Sequence, residues 1–182
     1  MKCAVFLADG FEECEGLITV DMLRRADIET VMISVSGRKE INGSHGIIVH
    51  ADQLYEDADI SSFDVLILPG GRVGKENLES FEPLLSVLKN HFESGKLTCA
   101  ICAAPSIFGH LGILKGKDYT CFPSFDEEAF AGQYQKQPAV KDGNLITGRG
   151  MGATIEFASL IIRELKGEET LEKVKYGMQY FA

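Results

Sequence analysis

The sequence predicts an α/β protein in which helices cover both faces of a mostly parallel sheet. Three short apolar runs, at residues 2–8, 63–68 and 97–101, each end in a turn, which is typical of strands buried on both faces. Segments of helical period lie between the runs, and residues 12–26 are the clearest of these. Because strands that alternate with helices pair in parallel, we expect a layered α/β architecture.

The remaining elements follow from apolar periodicity and turn residues. In the first helix, Asp21 is placed to pair with Arg24 or Arg25. The first half of the chain then predicts a strand over residues 29–35, a hairpin ending at His50, and a helical stretch over residues 73–93 with a break near Pro83. The second half predicts a helix over residues 106–111, a strand over 118–122, a brief helix over 126–130, strands on either side of a turn at 142–144, and helices over 153–165 and 168–180.

Length and composition are those of a globular protein with one core. The chain has 182 residues, of which 45% are apolar and 25% charged, so we expect a single domain over residues 1–182. Its apolar runs are shorter than the roughly 20 residues of a membrane span. The N-terminal run reaches Asp9 too soon for a signal peptide, and five cysteines, an odd number, do not suggest a disulfide framework. We therefore expect a cytoplasmic protein.

The charge argues against two classes of partner. The formal net charge is -9, and the lysines and arginines form no cluster. Nucleic acids and anionic membrane surfaces both bind concentrated positive charge. We therefore expect neither a nucleic-acid partner nor a membrane partner.

Residues 97–105 predict a sharp turn between a buried strand and a helix, with Cys102 at the turn. Ala100 and Ala104 flank Cys102 as the small residues flank the serine of the G-x-S-x-G elbow in α/β-hydrolases. Because a helix N-terminus favours an anion, we expect the pKa of Cys102 to be depressed and its thiol to be reactive. The alternative is a small buried cysteine before an ordinary helix that begins at Pro105.

Three strands end in segments with unusual chemistry. These are D-G-F-E-E-C-E at residues 9–15, P-G-G at 69–71 and I-C-A at 101–103. Parallel sheets bind ligands beyond the carboxyl ends of their strands. We expect the three segments to converge on one pocket.

Together these segments resemble the ThiJ/PfpI superfamily, and specifically its small single-domain branch, which includes bacterial ThiJ-like proteins and a parkinsonism-associated deglycase. The match extends to V-D-M-L-R-R-A at residues 20–26, A-I-C-A-A-P at 100–105 and T-G-R-G at 147–150, in the family's order. The resemblance implies a flavodoxin-like three-layer sandwich, a homodimer, and a reactive cysteine at a nucleophile elbow.

The resemblance also implies roles for individual residues. Cys102 matches the nucleophile and oxidation-sensitive thiol, and Glu15 matches the acid that contacts it. Gly71 and Ala103 match the backbone amides of an oxyanion hole. A carboxyl in a dry cleft keeps its proton, so Glu15 can donate a hydrogen bond to a thiolate and later move protons on a substrate. Without the resemblance, Glu15 is an acid in the first turn of a helix, and Gly70 and Gly71 form a tight turn.

The chain departs from the family at Phe122, where many members carry a histidine beside the reactive cysteine. A phenyl ring cannot transfer protons, so the Cys–His pair of peptidase-like chemistry is absent at this position. His45 lies where relatives often have a basic residue near the pocket mouth, and its alternative is a solvated turn histidine. We place Gly70, His45, Phe122 and Arg149 at the rim of the pocket.

The other cysteines do not predict a redox pair. Cys99 and Cys102 have C-x-x-C spacing, but Cys99 should share the face of Ile101 while Cys102 turns out at the edge of the sheet. Cys14 and Cys121 lie near strand ends, either as resolving thiols or, more simply, as packing residues.

Three functions remain open. In the first, Cys102 adds to a small-molecule carbonyl such as methylglyoxal and Glu15 shuttles protons, as in a glyoxalase III or a deglycase. In the second, a non-enzymatic redox sensor or stress-response protein, Cys102 oxidises to a sulfinate. The third is a cysteine amidase or peptidase, which Phe122 argues against. We expect no cofactor and no metal, because three histidines do not cluster with other ligands: His50, His91 and His110.

Overall fold

The computed structural model describes residues 1–180 and confirms the predicted alternation of strands and helices. The strands are β1 (Lys2–Leu7), β2 (Glu29–Ser34), β3 (Glu40–Asn42), β4 (Ile48–His50), β5 (Gln53–Leu54), β6 (Val65–Leu68), β7 (Leu97–Ile101), β8 (Asp118–Tyr119), β9 (Gln133–Tyr134), β10 (Ala139–Asp142) and β11 (Leu145–Gly148). The helices are α1 (Glu13–Arg25), α2 (Arg72–Ser80), α3 (Glu82–Glu93), α4 (Pro105–His110), α5 (Thr154–Lys166) and α6 (Glu168–Gly177).

A seven-stranded sheet has the order β10-β11-β7-β6-β1-β2-β5. Its strands pair in parallel except for β10, which pairs with β11 in antiparallel orientation across the turn predicted at residues 142–144. The carboxyl ends of β1, β6 and β7 are therefore neighbours at one edge. This arrangement confirms the mostly parallel sheet that the sequence predicts.

Alternation along β1 divides the core between the two faces of the sheet. Val5 packs in the cluster beneath α1, α5 and α6, whereas Phe6 packs in the cluster beneath α2, α3 and α4. Both side chains are fully buried. Burial on both faces explains the uninterrupted apolar run of this strand. Helix, sheet and helix form three layers, which is the flavodoxin-like α/β architecture expected from the sequence.

The segment after α4 differs from its prediction. The strand expected over residues 118–122 ends at Tyr119, because the Thr120 amide donates to the Thr147 hydroxyl and the Phe122 amide donates to the Cys102 carbonyl. These bonds hold the segment against the edge of the main sheet instead of extending a ladder with β9. The brief helix predicted over residues 126–130 is also wrong in form, since the backbone there makes a single 3₁₀ turn, Glu128–Phe130, and another, Pro123–Phe125, precedes it.

Other local predictions agree closely with the structure. The hairpin ending at His50 is formed by β3 and β4. The helical stretch breaks at Phe81, and Pro83 lies in the first turn of α3. Asp21 pairs with Arg25 at 2.6 Å. Within residues 1–180, no helix combines the length and the apolar character needed to cross a bilayer.

Candidate active site

Cys102 stands at the turn between β7 and α4 in a left-handed conformation, with φ of 65°. A non-glycine residue rarely adopts this conformation, and when it does the surrounding structure holds it there. Here the Cys102 amide donates to the Gly148 carbonyl at 2.9 Å, and its own carbonyl accepts from the Phe122 amide at 2.8 Å. Ala100 and Ala104 on either side are fully buried. The elbow predicted from the sequence is therefore present and is braced by the end of β11 and by the segment that follows β8.

Glu15 reaches the elbow from the first turn of α1. The Glu12 carboxylate caps this helix by accepting from the Glu15 amide at 2.7 Å. The Glu15 side chain is buried, and its Oε2 accepts from the Gly70 amide at 2.8 Å. Its Oε1 is buried with no hydrogen-bond partner of good geometry in the described chain. A buried carboxylate oxygen in this state favours protonation.

Gly70 and Gly71 allow the backbone after β6 to approach the elbow. A Cβ at Gly70 would lie 2.6 Å from the Cys102 Cβ and 2.7 Å from Glu15 Oε2, so these two side chains flank the same point. Gly71 has φ of 88°, and a Cβ there would lie 2.3 Å from the Gly10 carbonyl oxygen. Both glycines are therefore required by close approach, and Gly71 also by its positive φ.

Burial raises the pKa of both Glu15 and Cys102. It raises the pKa of Glu15 to about 7, because it outweighs the opposing effects of the neighbouring Cys102 thiol and of the Gly70 amide. It also raises the pKa of Cys102 to about 12, to which the charge of Glu15 adds. Below about pH 7 both groups therefore hold a proton, and between about 7 and 12 one proton remains, which the higher pKa places on the Cys102 sulfur. The Cys102 thiolate forms when that proton moves to Glu15.

The predicted depression of the Cys102 pKa is wrong in its net direction. The backbone amides of Gly71 and Ala103 do lower this pKa, as expected for an oxyanion hole, but burial and the Glu15 charge raise it more. The following helix, α4, has only six residues. Thiolate formation therefore depends on transfer of the thiol proton to Glu15, a contact that the elbow spacing alone does not reveal.

Phe122 and Arg149, both predicted at the rim, line a cavity of about 570 Å³ beside the elbow. Gly150 lies between this cavity and the sulfur. A Cβ at Gly150 would be 3.6 Å from Phe122 Cδ2 and 4.0 Å from Cys102 Sγ. Met151 also lines the cavity and is 52% exposed, a residue that the sequence analysis did not single out. The cavity therefore extends close to the reactive atom.

His45 lies instead on the β3–β4 hairpin, where it binds Glu13. The buried Glu13 carboxylate accepts from the His45 amide at 2.6 Å and shares a 2.9 Å hydrogen bond with its ring Nδ1. Burial raises the pKa of the Glu13 carboxyl. The hydrogen bonds from His45 outweigh this effect and lower the pKa to about 2. The His45 side chain is 71% exposed, and its described side-chain partners are Glu13 and Ser44. Its position agrees with the solvated turn histidine, the alternative stated above.

The Glu13 contact is one that the sequence analysis missed, because it joins residues 32 positions apart. It also brings Glu12, Glu13 and His45 close enough for one potential ligand atom of each to lie within 4.8 Å of the others. Glu12 already accepts from the Glu15 amide, and Glu13 accepts from His45. A helix cap and a hairpin contact account for this cluster.

The remaining cysteines occupy different environments. Cys99 is fully buried in the same cluster as Ile101, as predicted, whereas Cys102 is partly exposed at the end of the strand and packs against that cluster. Cys121 is fully buried, in agreement with packing, whereas Cys14 is exposed on α1. Cys99 and Cys102 are both free thiols, and they differ in burial.

Comparison with known proteins gives a consistent result. The DJ-1/PfpI family matches residues 1–164. The Parkinson disease protein 7 homolog of Danio rerio is 36% identical over 178 residues, which cover 96% of this chain and 94% of that protein. A deglycase of Thermococcus kodakarensis is 33% identical over 154 residues, covering 84% of this chain and 92% of that protein. The DJ-1 homolog B of Arabidopsis thaliana is 37% identical over 175 residues, and the chain spans only 40% of its length.

Solved structures show the same likeness. DJ-1beta of Drosophila melanogaster superimposes with a TM-score of 0.92 at 34% identity, over 100% of both chains. Oxidized DJ-1 of Toxoplasma gondii gives a TM-score of 0.93 at 32% identity, over 100% of this chain and 99% of that one. A DJ-1 superfamily protein of Salmonella typhimurium gives 0.93 at 33% identity with the same coverage.

Proposed function

Because the chain belongs to the DJ-1/PfpI family, we propose that it converts reactive 1,2-dicarbonyl compounds through Cys102, with Glu15 as the proton shuttle. The observation that carries the proposal is the buried Glu15 carboxyl, with its unpartnered Oε1, beside a cysteine in a left-handed conformation. The likeness to a protein named a deglycase supports the same chemistry. Neither a metal nor an organic cofactor is needed for it.

The reaction begins with transfer of the Cys102 thiol proton to the Glu15 carboxylate, which places the negative charge on the sulfur. The thiolate attacks the aldehyde carbon of the dicarbonyl and forms a carbon–sulfur bond, while the aldehyde oxygen takes the proton from Glu15. The product of this step is a hemithioacetal. Proton transfer of this kind by a positioned carboxyl is ordinary general acid catalysis.

Glu15, now a carboxylate, next removes the proton from the carbon bonded to sulfur. That proton returns at the neighbouring carbon and the hydroxyl proton passes from the former aldehyde oxygen to the ketone oxygen, so the former aldehyde carbon is oxidised to a thioester while the ketone is reduced to an alcohol. Water then cleaves the thioester, releasing a 2-hydroxy acid and restoring the Cys102–Glu15 pair. The sequence balances as dicarbonyl plus water to hydroxy acid, with no external oxidant.

Backbone amides supply the complementary part of the mechanism. Gly71 and Ala103 donate to no backbone carbonyl within residues 1–180 and lower the pKa of Cys102. They are therefore available to stabilise an oxyanion on the attacked carbon. With Phe122 in place of a histidine, Glu15 serves both as acid and as base, so we expect slower turnover than in relatives that retain the histidine.

Lactate formation from methylglyoxal by the purified protein tests the proposal. Wild type should form lactate, whereas Cys102→Ser and Glu15→Gln should reduce the rate by at least about 10²-fold. Cys14→Ser is the matched control, since it removes an exposed thiol away from the elbow. Equal rates for wild type and Cys102→Ser would contradict the proposal.

A second candidate function is redox sensing, which one observation favours. The unpartnered Glu15 Oε1 and the amides of Gly71 and Ala103 surround the sulfur with donors, provided that Glu15 is protonated. A peroxide would oxidise the Cys102 thiolate to a sulfenate and then to a sulfinate, releasing one water or alcohol in each step. Mass spectrometry after peroxide treatment should show a gain of two oxygens on Cys102. An unmodified Cys102 when Cys14 is oxidised would reject this function.

We propose further that the protein is a cytoplasmic homodimer. The hairpin that Glu13 holds against α1 exposes two adjacent apolar side chains, Ile47 at 52% and Ile48 at 55%. Such a pair next to a partly buried helix is suited to contact with a second copy. Light scattering should give twice the mass of the chain, and Ile48→Glu should lower that mass if this surface forms the contact.

A further inference from the structure

Within residues 1–180, two arginines of this acidic protein form no ion pair with a carboxylate. The chain has six arginines. Four of them form ion pairs with carboxylates, namely Arg24, Arg25, Arg38 and Arg163. Arg72 and Arg149 form none within residues 1–180, and both are exposed. With a net charge of -9, most basic side chains can find acidic neighbours, so the location of these two is informative.

Arg72 lies on one side of the candidate active site. It directly follows Gly71, whose amide acts on the Cys102 sulfur. Its guanidinium lies 5.3 Å from the centre of the Phe125 ring, over which it stacks. That ring is 6.4 Å from the ring of Phe122. Arg72 is therefore held at the rim through aromatic contacts.

Arg149 lines the cavity of about 570 Å³ together with Phe122 and Met151. Its amide donates to the Pro138 carbonyl at 2.9 Å, which fixes the backbone and leaves the guanidinium exposed. Since a Cβ at Gly150 would approach Cys102 Sγ to 4.0 Å, this cavity opens close to the sulfur. Arg149 thus lines this cavity, and Arg72 is connected to its Phe122 wall through the Phe125 ring.

Between the arginines the surface is apolar. Phe122 is 47% exposed and Met151 is 52% exposed, which are high values for large apolar side chains. A guanidinium recognises carboxylate and phosphate oxygens through paired hydrogen bonds. A ligand that matches this surface therefore has an anionic group and a short apolar skeleton.

We infer that the cleft selects carbonyl compounds that carry an anionic group, a carboxylate or a phosphate, which Arg72 and Arg149 bind while Phe122 and Met151 contact the carbon skeleton. The carbonyl group of the ligand rests on the proposed function, whereas the anionic group is inferred from the two arginines. Anion binding beside the sulfur does not require turnover and is measurable without it.

Alkylation of Cys102 by iodoacetate and by iodoacetamide tests the anion site. The two reagents have similar size and differ in charge, so the ratio of their rates reports the potential at the sulfur. Peptide mass spectrometry distinguishes Cys102 from the buried Cys99. Arg72→Gln and Arg149→Gln should each lower the iodoacetate-to-iodoacetamide ratio by about threefold, as expected for a unit charge roughly 7 Å away in water, and the double variant by about tenfold.

The controls separate local from general effects. Arg163→Gln removes the same charge at an ion pair on α5 and should leave the ratio unchanged. Arg149→Lys keeps the charge and should retain most of the wild-type ratio. High salt should reduce the wild-type ratio toward that of the double variant. An unchanged ratio in the double variant, or an equal fall in Arg163→Gln, would overturn the inference.

Protection experiments identify the anion. Benzoate and phenyl phosphate should slow the reaction of Cys102 with iodoacetamide, and the stronger of the two identifies the preferred group. Protection by neither at 10 mM, roughly the affinity expected for a small monoanion fragment, would overturn the inference. A failure to form lactate would contradict the proposed reaction and would leave the alkylation and protection results as an independent test.

Discussion

Glu15 accepts a hydrogen bond from the Gly70 amide through one carboxyl oxygen, at 2.8 Å, while its other oxygen has no partner of good geometry. This arrangement satisfies a neutral carboxyl better than a carboxylate, because a protonated Oε1 can donate. A proton on Glu15 lowers the cost of burying its carboxyl, and once Glu15 has ionised the same carboxylate is the acceptor for the Cys102 proton when a thiolate forms. Stability and the proposed chemistry therefore depend on one group.

The first prediction concerns stability against pH. The pKa of Glu15 is about 7 in the folded protein against an ordinary value of 4.5, so between these values the folded protein holds a proton that the unfolded chain has lost. Stability should therefore fall as pH rises from 4.5 to about 7 and remain lower above that. Glu15→Gln should lack this fall and gain roughly 3 kcal/mol relative to wild type between pH 4 and pH 8.

Urea unfolding at the two pH values measures this difference. Cys102→Ser retains Glu15 and is the control, so its stability should still fall with pH. Parallel stability curves for wild type and Glu15→Gln would show that Glu15 ionises normally, and the proposed proton transfer between Cys102 and Glu15 would lose its basis.

The second prediction concerns the close approach at Gly70. Alanine here would place its Cβ 2.6 Å from the Cys102 Cβ and 2.9 Å from the Ile101 carbonyl oxygen, so the elbow must move. We expect Gly70→Ala to lower lactate formation by at least about 10²-fold through misplacement of the sulfur. Gly177→Ala, at the end of α6, meets no atom within 4 Å and should retain full activity. Wild-type activity in Gly70→Ala would show that the elbow tolerates displacement.

The third prediction concerns the Glu13 contact. Hydrogen bonds from His45 hold the pKa of Glu13 at about 2, below the ordinary 4.5, against the effect of burial, which raises it. Glu13 therefore stabilises the fold above pH 4.5, and this contribution is lost as pH falls toward 2. Glu13→Gln should lower the stability at pH 7 by roughly 2–3 kcal/mol, because charged hydrogen bonds to a buried group are lost.

Hydrogen exchange provides the specific measurement for this variant. The amides of His45 and Ile47, which donate to Glu13, should exchange faster in Glu13→Gln at pH 7. Glu40→Gln, on the same hairpin but exposed, is the control and should leave their exchange unchanged. Unchanged exchange in Glu13→Gln would mean that the hairpin is held by other contacts.

Much of the fold could be predicted from the sequence, because its signals are local. The strand that begins at Lys2 is buried on both faces, so its residues form a continuous apolar run. The elbow could be located because its turn requires small neighbours, and Ala100 and Ala104 provide them. Both features are determined by residues within a few positions of each other.

Contacts between distant segments could not be predicted in this way. The end of β8 depends on Thr120 bonding to Thr147, and nothing in the local pattern of residues 118–122 indicates that partner. The pKa of Cys102 was predicted in the wrong direction because local reasoning included the neighbouring amides but not the burial and the acid supplied by other elements. Electrostatic properties of the site depend on the whole arrangement, whereas strand and helix periods do not.

The fourth prediction restores the acid–base group that Phe122 replaces. The Phe122 amide bonds to the Cys102 carbonyl, and its ring borders the Gly150 position that also lies near the sulfur. An imidazole at this point could exchange protons with the substrate while Glu15 handles the thiol. Phe122→His should therefore raise kcat/KM for lactate formation by up to about 10²-fold, with a new pH dependence near the ordinary histidine pKa of about 6.5. Phe122→Asn removes the same ring but cannot titrate, so it should show neither change. Equal gains in both variants would mean that removal of the large ring at the rim, and not proton transfer by the new side chain, causes the increase. Proton transfer would then not limit turnover in the wild-type protein.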